Sequence, residues 1–308
     1  MNFELLAEIE RDLVTRNMEL HPAQYRRHAD VFSASGVVVT GFFGHLFIGD
    51  GGNQWEQQLN GNLPLTPETA QQWSVTLTSR LARAADLHVN LVHLVVPEKQ
   101  IALPYFRWLA ERAPDRSNRP LLQIMNSAPQ ALKLIYPEAA FNKYQPWCEL
   151  YWRGNSHWCA SGCTIAASAA VQALTGADAG TDLIELEKAC IRHDLSLHFP
   201  EDKAFEEAIK IRESGSRIFD NMAFTKTGHY TGSHYIIRNL EAPLRESLVI
   251  FGDSCACDLG LAAALSAFFT DVHFVWSKTI LWPYVQEMQA RYVLWESAER
   301  FLITPPAE

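Results

Sequence analysis

Hydrophobic residues along the chain form short, nearly continuous runs, separated by segments in which they recur at helical spacing. Four runs predict buried strands because they are short and rich in aliphatic and aromatic residues. They span residues 89–96, 247–252, 272–276 and 291–297. Strands that are apolar on both faces are typical of a parallel sheet covered by helices on both sides.

The segments between these runs carry helix signals. Residues 66–87 begin with Thr-Pro-Glu, an N-cap hydroxyl followed by proline at the first helical position and an acidic first turn. Residues 180–195 and 201–214 are also predicted to be helices. The alternation predicts an α/β fold with a doubly wound, mostly parallel sheet and helices on both faces.

The distribution of linkers and charge bears on domain organisation. No internal repeat, low-complexity stretch or Gly/Ser-rich linker interrupts the 308 residues, so we expect a single domain over 1–308. The region at about 176–246 is less strand-like and carries much of the local charge. We expect this region to form a helical insertion or a lid.

Composition argues against several partners. The formal net charge is −9 and Lys and Arg are not clustered, so nucleic acid is not an expected partner. No window approaches the ~18 apolar residues of a membrane span, and the first residues lack the pattern of a secretory signal. We therefore expect no transmembrane segment, a cytoplasmic location and reduced thiols at the six cysteines.

Candidate chemistry begins where the strand predicted at 247–252 ends, in Gly252-Asp253-Ser254-Cys255. Ligands of doubly wound sheets bind beyond the carboxyl ends of the strands, where a serine can act as a nucleophile. We predict that Gly252 permits the tight turn and that Asp253 caps the following helix. The backbone N–H of Ser254 or Cys255 would bind an oxyanion. A plain strand-to-helix turn is the alternative interpretation.

A serine nucleophile needs a base, which is normally a histidine. Among eleven histidines, His157 has a distinctive context, since it follows an aromatic run and precedes small residues that begin a predicted helix. At such a junction its imidazole could reach a neighbouring strand end. A histidine packed in an aromatic loop is the alternative.

Five blocks, in the same order, resemble the alginate O-acetyltransferase family of SGNH-hydrolase-like proteins, the AlgX/AlgJ type. They are GHLFIGDGGNQWEQQLNGNLPLTPE (44–68), LVVPEKQIALPYF (94–106), LYWRGNSHWCASGC (150–163), LVIFGDSCA (248–256) and RYVLWESAERFL (291–302). The resemblance implies an SGNH-hydrolase-like, flavodoxin-like fold. In this family the histidine block precedes the serine block, which implies that Ser254 is the nucleophile and His157 the base.

The chain departs from this family two residues before the histidine, where the family has aspartate and this chain has Asn155. Asparagine can orient an imidazole but cannot stabilise the imidazolium with a full charge. In a serine protease the analogous change costs roughly 10⁴-fold in kcat. Three hypotheses follow: Asn155 suffices, another carboxylate supplies the charge, or the protein is catalytically poor. The carboxylates considered are Glu149, Asp253 and Asp258.

Further residues near these blocks are candidates for substrate contact. Lys99 and Arg153 could hold an anionic glycan or a donor, or they could be ordinary surface charges. Tyr105 and Trp158 are further candidates for substrate contact. The aromatic density at 144–158 and 274–284 would suit stacking on sugar rings, although aromatic side chains are more often part of the core.

The cysteines offer a rival site. Cysteines 159, 163, 255 and 257 flank the serine and histidine blocks and, with His157, could form a soft metal site. Their spacing is not that of a known zinc pattern, so we predict no metal. Cys255 is also an alternative nucleophile, although position in the family favours Ser254.

The resemblance to this family, together with the serine and histidine blocks, implies an O-acyltransferase, and specifically an O-acetyltransferase, that uses an acyl-Ser254 intermediate. The expected acceptor is a hydroxyl of a saccharide or polysaccharide precursor. No bound cofactor is expected, but an acetyl donor is required, and acetyl-CoA is a candidate. The alternatives are an SGNH-type carbohydrate esterase or deacetylase and, because of Asn155, a catalytically impaired carbohydrate-binding homologue.

Overall fold

A computed structural model describes residues 3–51, 53–109, 113–221, 232–257 and 260–307. The strands are β1 (Val38–Thr40), β2 (Leu46–Ile48), β3 (Asn90–Val96), β4 (Leu134–Ile135), β5 (Leu186–Arg192), β6 (Phe205–Ile211), β7 (Ser216–Asp220), β8 (His234–Arg238), β9 (Leu244–Gly252), β10 (Phe269–Trp276) and β11 (Tyr292–Ala298). The helices are α1 (Phe3–Leu20), α2 (Pro22–Tyr25), α3 (Trp55–Leu59), α4 (Pro67–Asp86), α5 (Lys99–Ala102), α6 (Pro104–Arg107), α7 (Pro120–Ser127), α8 (Glu138–Tyr144), α9 (Ala160–Thr175), α10 (Leu261–Leu265) and α11 (Trp282–Glu287).

Within these residues the central sheet has seven strands in the order β4-β3-β11-β9-β10-β8-β7. The first five strands in this order, β4, β3, β11, β9 and β10, are parallel to one another. At the other edge β8 is antiparallel to β10, and β7 is antiparallel to β8. β1 pairs with β2, and β5 with β6, in separate antiparallel pairs. The four predicted strands correspond to β3, β9, β10 and β11, which confirms the mostly parallel sheet.

Alternate residues of the central strands contribute to two hydrophobic layers. On one face Val92 and Leu294 pack with residues of α1, α9 and α10. On the other face Val95 and Val293 pack with residues of α4, α7 and α11. Helices therefore cover both faces, and the predicted doubly wound α/β architecture is confirmed.

The helix predicted at 66–87 is α4, and its predicted cap is present. Thr66 Oγ1 accepts a hydrogen bond from the N–H of Thr69 at 3.2 Å. Trp73 then anchors α4 to the C-terminal segment, because its Nε1 donates to the carbonyl of Leu302 at 2.9 Å.

The helices predicted for 180–195 and 201–214 are wrong, because these segments contain the antiparallel strands β5 and β6. Charges that are typical of helix-surface pairs instead face each other across this hairpin, where Lys210 Nζ lies 2.9 Å from Glu187 Oε1. Along β6, exposed and buried positions largely alternate, and the strand packs against α1 and α9. Helix propensity is a weak local preference that such packing outweighs.

The expected helical insertion at about 176–246 is therefore mainly β-structure where it is described. Residues 222–231 of this region lie outside the described residues. The lid role and the single-domain organisation stay predictions.

Two further features concern the chain as a whole. Every helix in the described ranges is too short or too polar to span a bilayer. None of the six cysteines takes part in a disulfide, and five of them are buried.

The carboxyl group of Glu10 on α1 is buried against the first turn of α9. Ser161 Oγ donates to Glu10 Oε2 at 2.7 Å. Burial raises the pKa of Glu10 from 4.5 to about 8, although the hydrogen bond from Ser161 opposes this shift.

We expect Glu10→Gln to make stability less dependent on pH. The unfolded chain releases this proton above about pH 4.5, whereas the folded protein keeps it until about pH 8, so wild-type stability is lost as pH rises through this window. As pH rises from about 5 to about 8, the free energy of unfolding of the variant, measured with urea, should increase by roughly 3 kcal/mol relative to that of wild type. Glu8→Gln, at an exposed position of the same helix, should show no such gain. A parallel pH dependence of Glu10→Gln and wild type would contradict the expectation.

Candidate active site

Ser254 lies at the carboxyl edge of the sheet, two residues beyond the last residue of β9. Residues 254–257 form a turn in which the N–H groups of Ala256 and Cys257 donate to the carbonyl of Asp253, at 3.2 and 3.1 Å. The following helix, α10, begins only at Leu261. The immediate strand-to-helix junction expected here is therefore wrong, and a tight turn presents a partly exposed Ser254.

His157 reaches Ser254 from the loop between α8 and α9. Its Nε2 lies 2.7 Å from Ser254 Oγ, and its Nδ1 lies 2.7 Å from Asn155 Oδ1. The amide oxygen can only accept, so Nδ1 carries the proton and the Nε2 lone pair faces the serine hydroxyl. This is the tautomer that a general base needs. The two residues paired from the sequence are thus brought into hydrogen-bond contact.

Asn155 fixes both the loop between α8 and α9 that carries His157, the histidine loop, and the orientation of the His157 imidazole. Its Oδ1 accepts the backbone N–H of His157 at 3.0 Å in addition to the ring N–H, and its Nδ2 donates to the carbonyl of Arg192 at 2.9 Å. A carboxylate has no donor for that carbonyl. Asparagine therefore ties the histidine loop to the end of β5, which an ionised aspartate could not do.

Position 252 requires glycine because its surroundings leave no room for a side chain. A Cβ at this position would lie 2.5 Å from Glu296 Oε2 and 3.0 Å from Ala256 Cβ. Glu296, on the neighbouring strand β11, is 1% exposed and accepts the N–H of Asp253 at 3.0 Å. Burial, reinforced by the nearby Asp253, raises the pKa of Glu296 well above its ordinary value. Close approach of β11, and not a special backbone conformation, explains this glycine.

The carboxylate of Asp253 fixes the turn at residues 254–257, which we call the serine turn. Its Oδ1 accepts the N–H of Cys255 at 2.9 Å, and its Oδ2 accepts the N–H of Ala298 at 2.8 Å. Asp253 therefore caps a turn and not a helix. The Cys255 N–H is already engaged, which contradicts its predicted use as an oxyanion donor. The use of the Ser254 N–H in that role stays a prediction.

Asp253, Cys255 and Glu296 bring ligand-type atoms within 4.8 Å of one another, the single such group found among the described residues. The Asp253 oxygens and Glu296 Oε2 already accept backbone hydrogen bonds. Burial raises the pKa of the Cys255 thiol well above its ordinary value, so this residue favours neither a metal nor a thiolate nucleophile. Hydrogen bonding within the serine turn accounts for the cluster.

Solved structures share this arrangement of strands and helices, whereas the sequence matches no protein-family model and no curated protein. PatB1 of Bacillus cereus with a sulfonyl adduct aligns with TM-score 0.60 and 13% identity, over 80% of this chain and 92% of that chain. A DHHW family protein from Eubacterium siraeum aligns with TM-score 0.61 and 14% identity, over 90% and 100%. The O-acetyltransferase domain of Pseudomonas putida AlgJ aligns with TM-score 0.50 and 17% identity, over 88% and 93%. The chain has the fold of these proteins.

This likeness confirms the SGNH-hydrolase-like fold class that the ordered blocks implied. At these identities it establishes the fold and not an activity. The catalytic roles of Ser254, His157 and Asn155 therefore stay predictions, now supported by a specific geometry.

Lys99 is not available to a substrate. It is 2% exposed, and its Nζ donates to the carbonyls of Leu46, Trp152, Arg153 and Asn155 at 2.9, 2.7, 2.7 and 3.2 Å. The predicted substrate contact is wrong, because a buried ammonium must be surrounded by acceptors. Lys99 instead holds the loop that carries the histidine.

The other three predicted contact residues differ in exposure. Arg153 Nη2 lies 2.7 Å from Glu149 Oε1, and its Nη1 donates to the carbonyl of Phe43. This guanidinium therefore connects the histidine loop with the segment between β1 and β2. Trp158 is fully buried and belongs to the core, which contradicts its predicted contact with sugar. Tyr105 is 71% exposed, and its role in binding stays a prediction.

A carboxylate that no sequence pattern indicated, that of Asp194, lies close to His157. Asp194 Oδ2 lies 3.7 Å from His157 Nδ1. Glu149 and Asp253 are engaged as described above, and Asp258 lies outside the described residues. Asp194 follows β5, and its separation from Ser156 by 38 residues hides the contact from any local motif.

Proposed function

We propose that the protein is a serine O-acetyltransferase that passes an acetyl group through Ser254 to a hydroxyl of a saccharide or polysaccharide precursor. The contact of 2.7 Å between His157 Nε2 and Ser254 Oγ carries this proposal. The hydrogen bond from Nδ1 to Asn155 Oδ1 supports it, because it places the ring proton on Nδ1 and turns the Nε2 lone pair toward the serine hydroxyl. The fold shared with the AlgJ O-acetyltransferase domain supports the choice of acyl transfer.

In the first half-reaction Ser254 Oγ attacks the carbonyl carbon of the donor while His157 Nε2 takes the hydroxyl proton. We propose that the Ser254 N–H at the serine turn donates to the oxyanion that forms. When this intermediate collapses, the bond to the leaving group breaks and the leaving group takes the proton from Nε2. The product is acetyl-Ser254 with neutral His157.

In the second half-reaction a sugar hydroxyl gives its proton to His157 Nε2 and attacks the acetyl carbonyl. The bond from Ser254 Oγ to the acetyl carbon breaks, and Oγ recovers the proton from Nε2. We propose no bound cofactor for either step, and acetyl-CoA is a donor whose thioester suits this chemistry.

Intact-mass spectrometry after incubation with p-nitrophenyl acetate or acetyl-CoA tests the proposal. We expect a mass increase of one acetyl group, located on Ser254 by peptide mapping, and its loss when oligosaccharides with free hydroxyls are added. Acetylated sugar among the products would support a transferase, whereas free acetate alone would identify an esterase. The absence of any adduct with both donors would contradict an acyl-Ser254 intermediate.

A further inference from the structure

Asp194 is held against the histidine loop by hydrogen bonds on both carboxylate oxygens. Its Oδ1 accepts the N–H groups of Ser156 and Leu195, at 2.8 and 2.9 Å. Its Oδ2 accepts the hydroxyl of Ser156 at 2.6 Å. Oδ2 also lies 3.7 Å from His157 Nδ1, which is beyond hydrogen-bond length but within the range of a charge interaction.

The proton of the Ser156 hydroxyl has one suitable direction. An ionised carboxylate can only accept, so the hydroxyl donates to Asp194 and its oxygen lone pairs are left for other partners. Ser156 Oγ lies 3.2 Å from His157 Nδ1. The Nδ1 proton is therefore shared between Asn155 Oδ1 and Ser156 Oγ, and the carboxylate polarises the second of these acceptors.

We propose that Asp194 is a positioning residue that supplies, through Ser156, the negative charge that Asn155 cannot place opposite the imidazolium of His157. This inference rests on the proposed function, in which His157 gains a proton in each half-reaction. Two side chains then have the two roles that one aspartate has in the AlgX/AlgJ family, which this chain resembles. Asn155 orients the imidazole, and Asp194 balances its charge. The β5–β6 hairpin thereby contributes to the reaction centre.

The electrostatic surroundings favour an ionised Asp194. Burial alone would raise the pKa of Asp194, but the charge of His157 and the hydrogen bonds from Ser156 and Leu195 together hold it below the ordinary value. Lys99 and His193 are the other basic groups that act on this carboxylate. Burial lowers the pKa of His193 to about 4, so that ring is neutral at neutral pH.

The test measures the pKa of His157 by NMR of histidine-labelled protein, together with kcat/KM for acylation and the melting temperature. Asp194→Asn should lower the pKa of His157 by roughly one to two units, because it removes an opposite charge within about 4 Å. It should also reduce kcat/KM by roughly 10²-fold, mainly through kcat. Asp178→Asn, which removes a negative charge at an exposed position, is the matched control and should change neither.

Asn155→Asp in the Asp194→Asn background is the decisive variant. It places a carboxylate where Asn155 Oδ1 now contacts Nδ1, and should restore the pKa of His157 and bring kcat/KM to within about tenfold of wild type. A purely structural Asp194 would predict no rescue, because a carboxylate at 155 cannot replace the bonds to the N–H groups of Ser156 and Leu195.

An unchanged pKa of His157 in Asp194→Asn would overturn the inference, and so would a pKa that stays lowered when Asn155→Asp is added, since the rate of that double variant also reflects the lost hydrogen bond from Asn155 to Arg192. The NMR measurement needs no turnover. If wild type forms no acyl-enzyme, the proposed function fails. The pKa of His157 still decides whether the Asp194 carboxylate stabilises the protonated imidazole.

Discussion

Replacing Ser254 with alanine is expected to abolish the acetyl adduct and to reduce kcat/KM for acylation by roughly 10⁴-fold or more. The reason is that the proposed reaction forms its covalent bond at Ser254 Oγ, which lies 2.7 Å from His157 Nε2. Release of p-nitrophenol from p-nitrophenyl acetate measures the rate, and intact mass measures the adduct. Because the side chain is partly exposed, the melting temperature should remain close to that of wild type.

Ser79→Ala is the matched control for this substitution. Ser79 is exposed on α4, where alanine is a good helix former, so both rate and stability should be retained. If Ser254→Ala kept a substantial rate, the acetyl group would have to pass by another route. Cys255 would not be the natural alternative, since its thiol is buried and its pKa is raised.

Lys99→Met is expected to destabilise the protein by about 3 kcal/mol and to impair acylation severely. Methionine preserves the length of the side chain but removes the ammonium that four backbone carbonyls share, at distances from 2.7 to 3.2 Å. Three of these carbonyls belong to Trp152, Arg153 and Asn155, in the loop that positions His157. Loss of stability and loss of activity should therefore occur together.

Urea unfolding followed by tryptophan fluorescence measures the stability of Lys99→Met, and p-nitrophenol release measures its acylation rate. Lys143→Met, at an exposed position of α8, is the matched control and should change both by little. Wild-type stability in Lys99→Met would show that the loop holds its conformation without the ammonium.

The strands that build the site were predictable because they are nearly continuous apolar runs. The segments at 89–96 and 247–252 contain β3 and most of β9, and their carboxyl ends must lie at the same edge of a parallel sheet. The hairpin of β5 and β6 was not predictable in the same way. Its Glu, Lys and Ala residues favour a helix locally, and only packing against α1 and α9 favours the strands.

The roles of charged and aromatic side chains were the least predictable part of the site. Lys99 and Trp158 lie in blocks that resemble those of the AlgX/AlgJ family, yet both are buried. A sequence records residue type and spacing, whereas burial depends on which segments fold over a side chain. Lys99 is enclosed by the loop at 152–155 and by Leu46, at sequence separations of about 50 residues.

The sequence by itself determined the parallel strands, the capped α4 helix and the pairing of Ser254 with His157 as the candidate reaction centre. The strands and the helix follow from local periodicity and capping signals, which neighbouring residues encode. The pairing follows from the ordered blocks that resemble the AlgX/AlgJ family. Only the tertiary structure decided which carboxylate faces His157. Asp194 reaches Ser156 across 38 residues of chain because the β5–β6 hairpin returns to the histidine loop, and that closure depends on long-range packing and not on any local pattern.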